Sequence, residues 1–215
     1  MNIEQSLASK LLSIEAIKLS PSDPFTWASG LRSPIYCDNR LSLSYPVVRN
    51  MIKLGFKNSI EKNHYQADVI IGVATAGIPH GALLADAMDL PFAYVRSKSK
   101  DHGRQNIIEG HVTTGMKAIV VEDLISTGGS CLKVVDVLRD AEVSVIDVFS
   151  IFTYNLEEAS SNFAKANCTY TSLTNYPALL DTAKKSGRIT ENEYHMLKEW
   201  YKNPKIWSEQ FSKTI

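Results

Sequence analysis

Residues 118–130 read Ala-Ile-Val-Val-Glu-Asp-Leu-Ile-Ser-Thr-Gly-Gly-Ser. The four apolar residues that open the stretch suit a strand buried on both faces. Glu122 and Asp123 follow at the C-terminal end of that run, where a hydrophobic layer is expected to give way to solvent. Ser126, Thr127, Gly128, Gly129 and Ser130 make a small, hydroxyl-rich turn, and Leu132, Val135 and Leu138 then recur at helical spacing. Strand, acidic pair, small-residue loop and helix together form a place for a sugar phosphate. Main-chain N–H groups and hydroxyls near a helix N-terminus suit a phosphate. Two adjacent carboxylates suit ribose hydroxyls, or a sugar carbon that becomes positive during reaction. The plainer reading is an ordinary strand-to-helix turn with capping acids and serines. The stretch holds neither Gly-x-x-x-x-Gly-Lys nor Gly-x-Gly-x-x-Gly, which excludes the nucleoside-triphosphatase loop and the dinucleotide fingerprint.

The bulk of the chain narrows the class further. Its 215 residues, 44% of them hydrophobic, suit one domain with a full core. Lys+Arg and Asp+Glu balance at 23 each, so no global field recommends DNA, RNA or a membrane as partner, and local charge must carry any anion binding. Cys37, Cys131 and Cys168 are odd in number and widely spaced, which suggests neither a disulfide framework nor a zinc site. The N-terminus lacks a basic-then-apolar pattern, and no apolar run approaches membrane-spanning length. A cytoplasmic protein is expected.

Outward from the central stretch, strands and helices alternate. Ile3, Leu7, Leu11, Ile14 and Ile17 share one face of a helix expected over residues 2–18 and ended by Pro21 and Pro24. Residues 25–40, FTWASGLRSPIYCDNR, show no helical period and suggest short strands around turns at Gly30 and Pro34. Residues 45–63 read as a helix with Pro46 in its first turn. A buried strand is expected over 69–73, then the tight loop Ala74-Thr75-Ala76-Gly77, whose small side chains let main-chain amides approach a ligand, then a helix from Ile78. A third strand over 91–95 leads into residues 96–104, Arg-Ser-Lys-Ser-Lys-Asp-His-Gly-Arg, with four formal positive charges and too few apolar residues to pack. Such a segment is ordinarily a solvated loop. Residues 107–114 suggest a hairpin, 144–152 another parallel strand, and 169–173 a last one. Asn155 with Glu158 reads as the cap of a helix to Ala166. Thr190 and Glu193 form a capping-box pattern ahead of a helical tail, where Trp200, Trp207 and Phe211 read as core or subunit contacts. A mostly parallel sheet follows, with ligands at the carboxyl ends of its strands, and the acidic motif, the small loop and the basic segment share that edge.

The whole of residues 118–130 resembles the phosphoribosyl pyrophosphate (PRPP) motif of type I phosphoribosyltransferases. Phe25-Thr26-x-x-Ser29-Gly30-x-x-Ser33-Pro34-x-Tyr36 looks like the orotate phosphoribosyltransferase subgroup, whose small N-terminal hood closes over the pyrimidine. The resemblance implies an α/β fold, a mostly parallel central sheet flanked by helices, in one domain over 1–215 with the hood mainly in residues 1–45. It implies transfer of phosphoribosyl from PRPP to orotate, giving orotidine 5′-monophosphate and pyrophosphate in pyrimidine synthesis. It implies Mg²⁺ held mainly through PRPP, with no residue assigned as a metal ligand, and a homodimer whose lids close over each other's sites. Carried onto this sequence, the lid has Arg96, Lys100, Asp101 and His102, and the catalytic group is Lys100, His102, Glu122 and Asp123. PRPP would be held by Arg96, Lys100, His102, Glu122, Asp123, Leu124, Ile125, Ser126, Thr127, Gly128, Gly129 and Ser130. Orotate would meet Ser126, Tyr36 and Arg32. Four positions where many relatives carry a cation hold Ala28, Ala76, Ser97 and Tyr154 here, with Arg32 and Lys98 as the nearest substitutes for the first and third. A PRPP-sensing regulator, or a phosphoribosyltransferase for another nucleobase, is the rival reading. A regulator would need a nucleic-acid surface, which the neutral charge disfavours.

Overall fold

The computed structural model describes residues 2–27, 30–96 and 107–213. In chain order these form α1 (Ile3–Ser13), β1 (Ile17–Leu19), β2 (Phe25–Thr26), β3 (Arg32–Ser33), β4 (Ile35–Cys37), a 3₁₀ helix (Asn39–Ser44) and α2 (Pro46–Lys62). Then come β5 (Val69–Val73), α3 (Gly77–Met88), β6 (Phe92–Val95), β7 (Ile108–Glu109), β8 (Lys117–Ile125), α4 (Gly129–Asp140), β9 (Ser144–Thr153) and α5 (Glu157–Lys165). The chain closes with β10 (Tyr170–Asn175), α6 (Tyr176–Lys185), α7 (Glu191–Lys202) and α8 (Pro204–Lys213).

Strand β8 lies inside a sheet ordered β10-β9-β8-β5-β6-β7, in which every neighbouring pair is parallel except β6 with β7. The expectation of a strand buried on both faces holds. Ile119 and Val121 join the core under α1, α2, α3 and α6, while Ala118 and Val120 join the one under α4 and α5. Ile70 and Ile71 of β5 part in the same way, as alternating side chains must.

Several boundaries differ from those expected, through strand pairing in β1 and β8 and through local backbone turns elsewhere. The first helix stops at Ser13, and Ile17 enters β1, which pairs antiparallel with β4. Ile17 fits the helical spacing, but Glu15 at φ 57° breaks the helix first. Strand β8 runs on to Ile125 because β9 offers partners as far as Thr153, so the acidic pair sits within a strand rather than beyond one. Asn155 does not cap α5. It takes the left-handed conformation at φ 55°, and the helix starts after Leu156 without a side-chain cap. The Thr190–Glu193 capping box is present, and Trp200 is wholly buried. The tail breaks at Asn203 into two helices rather than one.

Within residues 1–45, helix α1 packs with α2, α6 and β10 in the main core. The hairpin β2–β3 and the pair β1–β4 are two small sheets of their own, and Ile17 and Ile35 of the second join the main core. The C-terminal α8 closes on the hairpin, where the Arg32 main-chain N–H donates to Ser208 Oγ at 2.8 Å.

Candidate active site

The acidic pair is built by strand alternation. Glu122 turns toward α4, where its Oε2 accepts from the Ser130 hydroxyl at 3.1 Å and lies 3.9 Å from the Cys131 sulfur. Its Oε1 accepts the Asp123 main-chain N–H at 3.0 Å. The Asp123 carbonyl in turn accepts from Asn39 Nδ2 at 2.8 Å, so the 3₁₀ helix bears on the same point of β8. Glu122 is 6% exposed. Burial first, and then the adjacent Asp123, pushes its carboxyl up to about 8. Burial also raises Asp123, with Glu122 and Arg40 acting against that rise. Two neighbouring carboxyls withdrawn from water share their protons rather than both ionising freely.

The loop after β8 is shaped by glycine and held by α5. Gly128 sits at φ +83°, and a Cβ there would lie 2.5 Å from the Phe163 ring, so glycine alone fits between turn and α5. Asn162 of α5 donates to the Thr127 carbonyl at 3.0 Å and fixes the turn. Helix α4 has no side-chain cap, which leaves its first-turn N–H groups to a ligand. The loop over 74–77 flanks the pair from β5. A Cβ on Gly77 would stand 2.2 Å from the Val121 carbonyl oxygen, so α3 can approach β8 this closely only through glycine. The Ala74–Thr75 peptide is cis.

Arg96 ends β6, its N–H donating to the Ile107 carbonyl at 2.9 Å and its guanidinium 3.5 Å from Glu109. Lys100, Asp101 and His102, with Ser97 and Lys98, lie outside the described residues, as does Ala28. A cavity of about 880 Å³ takes in Ser126 and Thr127. Trp27, Leu31, Asn155, Leu156 and the α7–α8 junction close its other walls. Ser126 is therefore brought to the cavity. Arg32 of β3 and Tyr36 of β4 are not among the residues that line it. The Arg32 guanidinium reaches the Pro24 carbonyl at 3.4 Å, and Tyr36 packs on Phe25 with ring centroids 5.7 Å apart. Tyr154, at one of the positions that departs from the family cations, is a core residue 3% exposed, among Trp27, Phe152, Tyr176 and Trp200.

Sequence reasoning missed Asn39 and the α7–α8 junction. Asn39 carried a weak signal, lying between Asp38 and Arg40 in a stretch with no helical period. The junction carried none, because it reaches the cavity only through packing. Among the described residues no group of three or more His, Cys, Asp or Glu could hold a metal by itself, and no helix is long and apolar enough to cross a membrane.

Residues 49–175 match the phosphoribosyl transferase domain family. An orotate phosphoribosyltransferase of Lactococcus lactis subsp. cremoris is 51% identical over 207 residues, covering 96% of this chain and 99% of that one. The chain belongs to the orotate phosphoribosyltransferase family. The solved orotate phosphoribosyltransferase of Aeropyrum pernix superposes with a TM-score of 0.74 at 28% identity, covering 86% of this chain and 99% of that one. Leishmania donovani UMP synthase shares the fold, with a TM-score of 0.79 at 24% identity, and this chain spans 42% of its length. In this phosphoribosyltransferase the domain match begins in α2 and ends with β10. Trp27, Leu31 and the α7–α8 junction, which line the cavity, fall outside it.

Proposed function

We infer that this chain transfers the 5-phosphoribosyl group of PRPP to orotate, forming orotidine 5′-monophosphate and releasing pyrophosphate. The observation that carries the reading is the pair of buried Glu122 and half-buried Asp123 ahead of an uncapped α4, with the cavity opening at Ser126 and Thr127. The bond from the anomeric carbon to pyrophosphate breaks while a bond to the ring nitrogen of the base forms. Positive charge grows on the ribose as this happens, and Asp123, with Glu122 behind it, is the negative group at hand. The α4 amides and the hydroxyls of Ser126, Thr127 and Ser130 would hold the 5′-phosphate. That remote contact aligns the sugar with the base. Arg96, Lys100 and His102 would face the negative charge that gathers on pyrophosphate.

A divalent ion fits this donor set only as a passenger of the substrate. Glu122 already accepts two hydrogen bonds, and no further acidic or histidine ligand completes a cage among the described residues. Mg²⁺ bound through the diphosphate and ribose oxygens would supply charge neutralisation for the leaving group. We also read the protein as a cytoplasmic homodimer, a reading supported by the exposed apolar residues Leu41, Tyr45, Val47 and Leu54 running from the 3₁₀ helix along α2.

The test is loss of orotate absorbance with PRPP and Mg²⁺, run beside uracil, hypoxanthine, adenine and xanthine. Turnover of orotate alone is expected. Faster turnover of a purine, or PRPP binding with no turnover of any base, would replace this reading with one of its rivals.

A further inference from the structure

Asn39 is wholly buried between the 3₁₀ helix and the end of β8, yet its amide is only half used. The nitrogen donates to the Asp123 carbonyl at 2.8 Å, while Oδ1 has no hydrogen-bond partner among the described residues. The opposite orientation would set acceptor against acceptor, so the partner itself fixes which atom is nitrogen. An orphaned buried acceptor keeps its desolvation cost, which makes this side chain a poor choice if stability were its purpose.

The place it holds is one the sheet supports on one side only. Pairing of β8 with β5 stops at Val121, whereas pairing with β9 continues to Ile125. Glu122 and Asp123 thus lie where β8 has lost one strand neighbour. The residues around Asn39 restrain it closely. The Ser42 hydroxyl donates to its carbonyl at 2.6 Å and lies 3.4 Å from His80 Nε2 of α3. Arg40 is forked onto Asp38 at 2.6 and 2.9 Å, which pins the neighbours on both sides.

We propose that Asn39 is a positioning residue for Asp123, holding the main chain that presents this carboxylate to the ribose and joining the 3₁₀ helix to the catalytic strand. The proposal rests on the reading of Asp123 as the ribose carboxylate. It assigns Asn39 no contact with substrate, so its effect should fall on turnover and not on capture of the base.

The test compares Asn39→Ala and Asn39→Asp with the native enzyme and with Asp123→Asn, by steady-state kinetics at saturating PRPP and Mg²⁺. The folded fraction at assay temperature is measured alongside by circular dichroism and thermal melting. Asn39→Ala removes the donor, and Asn39→Asp keeps the size but sets an acceptor against the carbonyl. Both should lower kcat per folded molecule about tenfold or more while the orotate KM stays within about threefold. Native kcat per folded molecule in both variants, with Asp123→Asn inactive, overturns the proposal alone. An effect confined to the orotate KM also overturns it, as does failure of both variants to fold, because Asn39 would then be structural. Near-native turnover of Asp123→Asn removes the underlying reading and the proposal with it.

Discussion

At the scale of single residues, the site depends on keeping two carboxyls where water would not keep them. Asp123→Asn retains shape and removes a half-buried charge, so turnover should fall about a hundredfold or more, with the melting temperature unchanged or raised. Near-normal turnover at saturating PRPP would remove Asp123 from the mechanism. Glu122 gives a second test through pH. Its folded carboxyl lies at about 8 against 4.5 when unexceptional, so the folded state binds more protons in that interval. By linkage this contribution is complete below about pH 4.5 and is lost as pH rises through about 8. His80 acts in the opposite sense. Burial lowers it from 6.5 to about 4, so its contribution is lost as pH falls through that window. Melting of the ligand-free enzyme from pH 5 to 9 should therefore show a decline between about pH 6.5, above which His80 no longer offsets it, and about pH 8, levelling off beyond, and Glu122→Gln should abolish that decline. An identical decline in that variant would mean that Glu122 is not its source. Arg32, offered as the substitute for the missing cation at Ala28, is tied to Pro24 and carries its own test. Arg32→Ala should reduce kcat/KM for orotate more than Arg188→Ala, a change at an exposed site. Equal, small effects would show that no hood arginine replaces that charge.

Among the elements, the turn proposed to hold the phosphate is held from outside itself. Asn162 of α5 fixes the Thr127 carbonyl, and Phe163 of the same helix lies against Gly128. Asn162→Ala loses a hydrogen bond worth about 1 kcal/mol, so it should cost little stability. The freed turn should raise the PRPP KM several-fold and leave the orotate KM alone. The PRPP titration of this variant is the measurement, and an unchanged KM would mean that α4 alone orders the turn. The contact of α3 with β8 is less forgiving. Gly77→Ala places a Cβ 2.2 Å from the Val121 oxygen, a main-chain atom that cannot turn aside. This variant should lose several degrees of melting temperature and most of its activity together, because the displaced strand is the one that carries the acidic pair.

For the whole molecule, the question is whether each site is finished by its own chain. Residues 96 and 107 are joined at the carboxyl edge of the sheet. The ten residues between them make up about 35 Å of extended chain, so with the ends joined they can project about 17 Å, a distance that can cross a subunit interface. Twofold dimers are the commonest assemblies. Lys100→Ala and Asp123→Asn chains, each nearly inactive alone, should therefore recover activity when mixed and allowed to exchange. In the mixed dimer both lesions fall in one pocket and the other is native, so about a quarter of all sites should return. A mixture that stays inactive after verified exchange would show that each lid serves its own subunit.

What the sequence by itself determined is the local chemistry and its order along the chain. A run of four apolar residues, two acids and a small-residue turn is a strand leading into a helix whatever surrounds it, and alternation with helices makes the sheet parallel. The capping box at Thr190 was legible for the same reason, since cap and helix are neighbours in sequence. Tertiary structure alone decided where local signals ended. The helical spacing of Ile17 yielded to pairing with Cys37. The acids were drawn into β8 because β9 continued beside them, and Asn155 took a turn instead of a cap. It also decided what stands around the acids. Asn39 is 84 positions from Asp123, and Ser208 is 176 from Arg32. Contacts at such separations leave no period or spacing to read, because packing across the whole fold, rather than geometry along one element, brings the partners together.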